Sequence, residues 1–268
     1  MTAATLTREL RASYAFVERN FNLSKRYWGW EVAFMVYSVA GALSVTLIGL
    51  DQASNRLILS LMIGATFWNY LSVVFSIIAE QISWERWEGT LEYTMMAPVR
   101  RVSQLMGSTF FAIAWGLIHT TVVLTALVLF FGIDLSNADF ITAGALMAVG
   151  SLSIIGVGMM AAALPLLWVE RGDQMVFVLN SLLLLISGVY YSVTILPGWM
   201  QAISALSPAT YILDGIRQAL IEGVPVTQMG GYLLILAVMA CIFIPLGIWV
   251  FSRAERYAKR TGKLKRVG

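Results

Sequence analysis

Apolar residues gather along the chain into runs of roughly 20, separated by short polar breaks. A helix of about that length crosses some 30 Å of hydrocarbon. The runs predict six membrane spans, at about 32–50, 57–79, 105–131, 141–169, 175–193 and 231–251. The fourth and fifth are separated by WVERGDQ, residues 168–174. Without that polar turn they would form one apolar stretch of about 50 residues, too long for a single crossing. Ahead of the first span the period changes. Leu6, Leu10, Tyr14, Val17 and Phe21 recur at helical spacing, while Arg8, Arg11, Glu18 and Lys25 lie mostly elsewhere on the wheel. This predicts an amphipathic helix in the membrane interface within residues 1–30. Tyr27, Trp28 and Trp30 then stand where an interfacial aromatic belt belongs. Topology anchoring is the expected role of this helix, and contact with a cytoplasmic partner is the sharper alternative.

Between the last two spans, residues 194–230 are too apolar for an ordinary exposed loop. Pro197 precedes a short helical run from about Trp199 to Leu206. Ser207 and Pro208 read as N-cap and first turn of a second helix, running to about Ile221 and stopping at Gly223. Neither run is long enough to span, so both are expected to dip into the outer leaflet, shielded by protein or lining a wet cavity. Asp214 and Arg217 are spaced to pair with each other, or to face water at an exit.

Composition agrees with a membrane protein: 59% of the 268 residues are hydrophobic and 12% charged, against about 25% charged in soluble domains. The fold class is all-α and polytopic, and residues 1–268 read as one membrane domain. The single cysteine, Cys241, excludes an intrachain disulfide and a Cys-rich metal site. A net charge of +3 is too small to imply nucleic acid as a partner. Its distribution says more. All but two of the 18 Lys and Arg fall in the N-terminal segment, the 80–104 loop, the 170–174 turn or the tail after 251; the exceptions are Arg56 and Arg217. The positive-inside rule then places both termini in the cytoplasm of a bacterial inner membrane. The basic tail, 252–268, is expected to anchor on anionic lipid. No leader is expected, since the first 30 residues carry five basic residues but no compact apolar core or cleavage site.

The spans hold few ionisable groups. His119 is the clear exception; Glu31, Asp134 and Glu170 sit at edges. Ion-coupled transporters carry such groups at depth, so a secondary transporter is disfavoured. His119 is expected to bond a neighbouring helix rather than relay protons, and Asn69 and Asn180 fit interhelical bonding too. Gly144, Ala148, Gly150, Gly156 and Gly158 make the fourth span rich in small residues, which favours close packing over a moving gate; Pro165 is placed to kink its end. No catalytic motif and no GxxxxGK[ST] loop appears, so neither an enzyme nor a P-loop nucleotide site is expected in this chain. Any energy source lies in a partner.

One polar block interrupts the apolar runs: WERWEGTLEYTMMAPVRR, residues 84–101. Ser83 is placed to cap a short helix, with Glu85 in its first turn, and Gly89 to end it. Trp84 and Trp87 offer apolar anchors, while Glu85, Glu88 and Glu92 are suited to meeting basic groups. Glu85, the run Glu88-Gly89-Thr90-Leu91-Glu92 and then Pro98 resemble the cytoplasmic coupling segment of ABC type 2 exporter permeases. Residues 196–220, LPGWMQAISALSPATYILDGIRQAL, look like that family's stretch before its last span, and the plan of six spans after an interfacial helix is also similar. Trp84 and Trp87 depart from the pattern, standing where charged residues are common.

The resemblance implies a permease that pairs with a second copy or a sister chain and with two cytoplasmic ATPase subunits, which would bind Mg-ATP. It implies ATPase coupling through Trp84, Glu85, Arg86, Trp87, Glu88, Gly89, Thr90, Glu92, Pro98 and Arg100. It implies an outer gate or exit at Pro197, Trp199, Pro208, Tyr211, Asp214 and Arg217. The expected cargo is a hydrophobic or amphipathic molecule, drug or lipid-like, with a lipid-linked polysaccharide as the alternative. A self-sufficient channel or secondary transporter and a membrane scaffold are the rivals from other classes.

Overall fold

The computed structural model describes residues 3–51, 55–97, 99, 101–133 and 138–262. Among them there is no strand. The helices are α1 (Ala3–Arg26), α2 (Trp28–Asp51), α3 (Asn55–Ala79), α4 (Gln81–Trp87), α5 (Leu91–Met96) and α6 (Arg101–Phe131). They continue with α7 (Phe140–Ala161), α8 (Ala163–Leu167), α9 (Gly172–Ile186), α10 (Gly198–Ser204), α11 (Pro208–Ile221) and α12 (Gly230–Arg260). Five stretches are long and apolar enough to cross a membrane: Trp28–Leu50, Asn55–Ala79, Val102–Phe131, Phe140–Leu167 and Gly230–Arg260. This is an all-α, multi-pass membrane fold.

Three expected spans take a different form. The stretch expected at 175–193 is α9, whose 15 residues rise about 22 Å, short of the roughly 30 Å hydrocarbon core. It stops because Gly188, at φ 64°, turns the backbone into the left-handed region. The last span, expected to end near 251, runs on to Arg260 because Phe251, Ala254 and Ala258 keep packing against α8. The first half of the basic tail is therefore helical. The fourth span breaks at Ala162 into α7 and α8, upstream of Pro165.

The core is built around α3 and α7. Tyr70, Phe75, Met62, Leu146, Ile154 and Ile155 are fully buried. Glycines set how closely the helices approach. A Cβ on Gly156 would lie 2.6 Å from the Phe243 backbone, and one on Gly247 2.6 Å from the Gly156 carbonyl oxygen, so α7 and α12 meet almost backbone to backbone. Gly144, on the same helix, faces open space. Polar pairs tie helices together as expected: Asn69 donates to Ser38 at 2.8 Å and Asn180 to Ser72 at 2.6 Å. His119 is buried with Nε2 3.7 Å from a Glu31 carboxylate oxygen, which also accepts from Trp115 at 3.2 Å.

α1 packs along α6. A Cβ on Gly107 would lie 2.4 Å from the Ser13 carbonyl oxygen, and Phe21 meets Phe111 edge-on at 5.1 Å. The buried seam is small and polar, Ser13 and Ser24, while Leu10 and Tyr14 of the expected apolar face stay exposed. Phe21 of that face does pack on α6, whereas the buried serines carry no hydrophobic signal, so the sequence pattern pointed to this seam only in part.

Candidate functional site

The 84–101 block folds into α4, a glycine turn and α5. Expected as a docking face, its charged residues split in two directions. Glu85 is 1% exposed and accepts from Arg19 Nη1 at 2.8 Å and Gln104 Nε2 at 3.0 Å. Arg19 also donates to the Thr90 hydroxyl at 3.1 Å. Arg86 is buried as well and donates to the carbonyl oxygens of Pro165 and Leu166 on α8. A buried charge is tolerated only when paired and hydrogen-bonded. Both residues are thus committed inside the chain: Glu85 to α1 and α6, Arg86 to α8. Glu88 is half-buried, accepting from the Tyr27 hydroxyl and lying 3.5 Å from Arg26. That hydrogen bond to Glu88 holds the Tyr27 hydroxyl above its ordinary pKa.

The outward set is largely apolar. Trp84 and Trp87 meet edge-on at 5.5 Å and are exposed, Trp87 at 60%. Tyr93 and Met96 on α5 are exposed at 74% and 73%, with Glu92 beside them. Leu91 alone of that short helix is buried, anchoring α5 against α8 and α12. Pro98 and Arg100 lie outside the described residues.

Local backbone chemistry fixes this hairpin. Gly89 has φ 71°. Its N–H donates to the Arg86 carbonyl at 3.0 Å, and the Thr90 N–H donates to the Glu85 carbonyl at 2.8 Å. That pair of bonds is a Schellman ending, which needs a left-handed residue at this position. The helix start differs from expectation. α4 begins at Gln81 with no side-chain cap, and the Ser83 hydroxyl instead donates to Asp173 at the head of α9. Glu80, at the α3–α4 junction, has its pKa raised to about 7, first by burial and then by the nearby Asp173 charge.

At the opposite end, α10 and α11 form two short helices. Pro197 precedes α10 and Trp199 is exposed on it. Pro208 is the first residue of α11, but the Ser207 hydroxyl pairs with Ser187 at 2.8 Å rather than capping the helix. α11 ends at Ile221 with Gly223 at φ 64°. Tyr211 donates to the Ala205 carbonyl at 3.0 Å, closing the turn between the two helices. Asp214 and Arg217 do face each other, 3.6 Å apart. Arg217 also donates to the carbonyls of Gly188 and Val189, holding the turn after α9. The inner face of α11, Ile212, Leu213, Ile216 and Ala219, is fully buried in the core.

A family model described as ABC-2 type transporter matches residues 12–221. The chain is also 27% identical over 143 residues to the linearmycin resistance permease protein LnrN of Bacillus subtilis (strain 168). That alignment takes in 52% of this chain and 35% of the relative, so the chain spans about a third of that relative's length.

Proposed function

The chain belongs to the ABC-2 type transporter family, and from that premise we propose that it is the permease subunit of a bacterial ATP-driven exporter whose ATP is hydrolysed in separate chains. Two cytoplasmic ATPase subunits, carrying Mg-ATP, dock on α4 and α5. A second permease, identical or a sister chain, completes the pathway. The single observation that carries this reading is the outward set Trp84, Trp87, Glu92, Tyr93 and Met96. It is a polar-rimmed aromatic patch at the end of the helices where basic residues collect, and such patches mark protein contacts.

The inward residues give that contact a route into the membrane. Closure of the ATPases pushes on α4, a rigid unit tied by Arg86 to the α8 carbonyls and by Glu85 to Arg19 of α1 and Gln104 of α6. Movement of α4 therefore bears on the end of the fourth span and on the start of the third together. Through them it opens the pathway toward the outer helices α10 and α11, which border the exit. Both termini are cytoplasmic in this arrangement.

For the cargo, the apolar, aromatic spans suit a hydrophobic or amphipathic molecule. The similarity to a linearmycin resistance permease favours a drug over a lipid-linked polysaccharide. Gentle affinity purification from native membranes tests the assembly. A stoichiometric ATPase bearing a P-loop is expected, and Trp84→Ala with Trp87→Ala should cut its retention by tenfold or more, roughly 1.4 kcal/mol or above for buried aromatic anchors. A chain that purifies alone and supports flux without ATP overturns the proposal.

A further inference from the structure

On the outer surface of the basic end lies a groove of about 580 Å³, between α8 and the last turns of α12. Ala163, Leu167 and Trp168 form one wall. Trp249, Arg253 and Tyr257, spaced i, i+4 and i+8, form a stripe along the other. Trp168, Trp249 and Tyr257 are all exposed. The Arg253 guanidinium lies over the Trp249 ring, 5.2 Å from its centroid. Among the described residues no carboxylate pairs with Arg253, whereas Lys259, further along the same helix, is bridged to Glu255 at 2.8 Å.

We propose that this groove is a binding site for a single anionic glycerophospholipid, its phosphate on Arg253 and its upper acyl chains along Ala163, Leu167 and Val250. Depth supports it. Arg253 is 23 residues beyond Gly230 at the start of α12, a rise of about 35 Å. With the apolar stretch of this span beginning at Gly230, Arg253 sits just past a hydrocarbon core of about 30 Å, at headgroup level. Chemistry supports it too. Flanking indole and phenol rings occupy the interface on either side of an uncompensated cation, a pattern that selects an anionic headgroup over a neutral one.

The site also touches the machinery. Its α8 wall is the segment whose Pro165 and Leu166 carbonyls Arg86 holds from behind. A lipid seated here braces α8 against α4, and in that respect the proposal rests on the coupling role proposed for α4. The binding claim itself does not.

Lipid retention measured without any ATPase keeps the two apart. The full chain is reconstituted in equal parts of phosphatidylcholine and phosphatidylglycerol, extracted gently, and its retained lipids counted by native mass spectrometry. Wild type is expected to keep one phosphatidylglycerol with a roughly fivefold preference, the factor that corresponds to about 1 kcal/mol for one basic group at an anionic surface. Arg253→Gln should abolish the preference, and Arg256→Gln, a neighbouring exposed cation outside the groove, should keep it. No headgroup preference in wild type, a preference that survives Arg253→Gln, or an equal loss in Arg256→Gln overturns the site.

Discussion

Glu80 is the residue whose protonation the fold itself sets. It sits at the joint between the second span and α4, half-buried and facing Asp173. Its pKa is raised from 4.5 to about 7 by that burial and charge. The folded chain thus holds this proton more tightly than the unfolded chain does. The sign follows: the stabilising contribution is complete below about pH 4.5, falls as pH rises through the interval, and is gone above about pH 7. Glu80→Gln should keep the protonated shape without the titration. The melting temperature of the variant in detergent is expected to depend less on pH than wild type between about pH 5 and pH 8, and to exceed it at the upper end. A wild-type melting curve that rises across that interval, or a variant with the same slope, contradicts the assignment. Nearby, Glu85 and Arg86 make the companion point. They share a helical face with Ile82, which is fully buried, whereas Trp84 and Trp87 share the other. A helical wheel shows this division. Which face turns inward is set by α1, α6 and α8, whose hydrogen-bonding atoms are distant in sequence, so the sequence offered the indoles and the acids together as one contact surface, whereas Glu85 and Arg86 turn inward and Trp84 and Trp87 stay outside.

At the scale of elements, apolar run length was enough to find the spans that are long and uninterrupted, and Gly89 and Gly223 were readable as helix stops because glycine takes the left-handed backbone of a helix ending without steric cost. Three features were not readable. α9 ends early through a glycine embedded in an otherwise apolar run, which hydropathy does not register. The ending of α12 depends on alanines that pack against α8, and composition alone makes that stretch a charged tail. Ser83 and Ser207 stand at helix starts but spend their hydroxyls on Asp173 and Ser187, partners supplied only by the tertiary fold. The small residues of the fourth span were recognised as a packing surface, and the structure separates them by consequence. Gly156→Ala pushes a methyl into the Phe243 backbone, which cannot move aside as a flexible side chain would. Overpacking of this kind costs about 1–3 kcal/mol. Gly144→Ala meets open space and gains helix propensity, so it should be neutral or slightly stabilising. Thermal unfolding of the two variants side by side checks this, and equal melting temperatures would remove the argument that α7 and α12 meet through their backbones.

For the whole molecule, the two ends differ in kind. At one end charged side chains strap elements together: Arg19 to the buried Glu85, Arg86 to the α8 carbonyls and, at the surface, Arg26 to Glu88. The exposed surface there is aromatic and flanked by basic residues. At the other end, Arg56 pairs with Glu222 at 2.9 Å and Arg217 holds the turn after α9. Of the two arginines on that side, both are therefore neutralised or capped, whereas Arg253 has no acidic partner among the described residues. An orientation that puts the unneutralised cations in the cytoplasm follows from the positive-inside rule, and it also makes the Trp84–Met96 patch reachable by a cytoplasmic ATPase. The two conclusions stand or fall together, and one experiment addresses both. In a Cys241→Ser background, Tyr93→Cys places a thiol on the most exposed part of α5, and Glu222→Cys places one beyond α11. In intact cells a membrane-impermeant maleimide should label the second position and not the first. In inverted vesicles the first should react, and added ATPase should slow that labelling by tenfold or more, as a site covered by a well-packed interface requires. Labelling of Tyr93→Cys from outside intact cells would invert the topology and leave the patch facing away from any source of ATP.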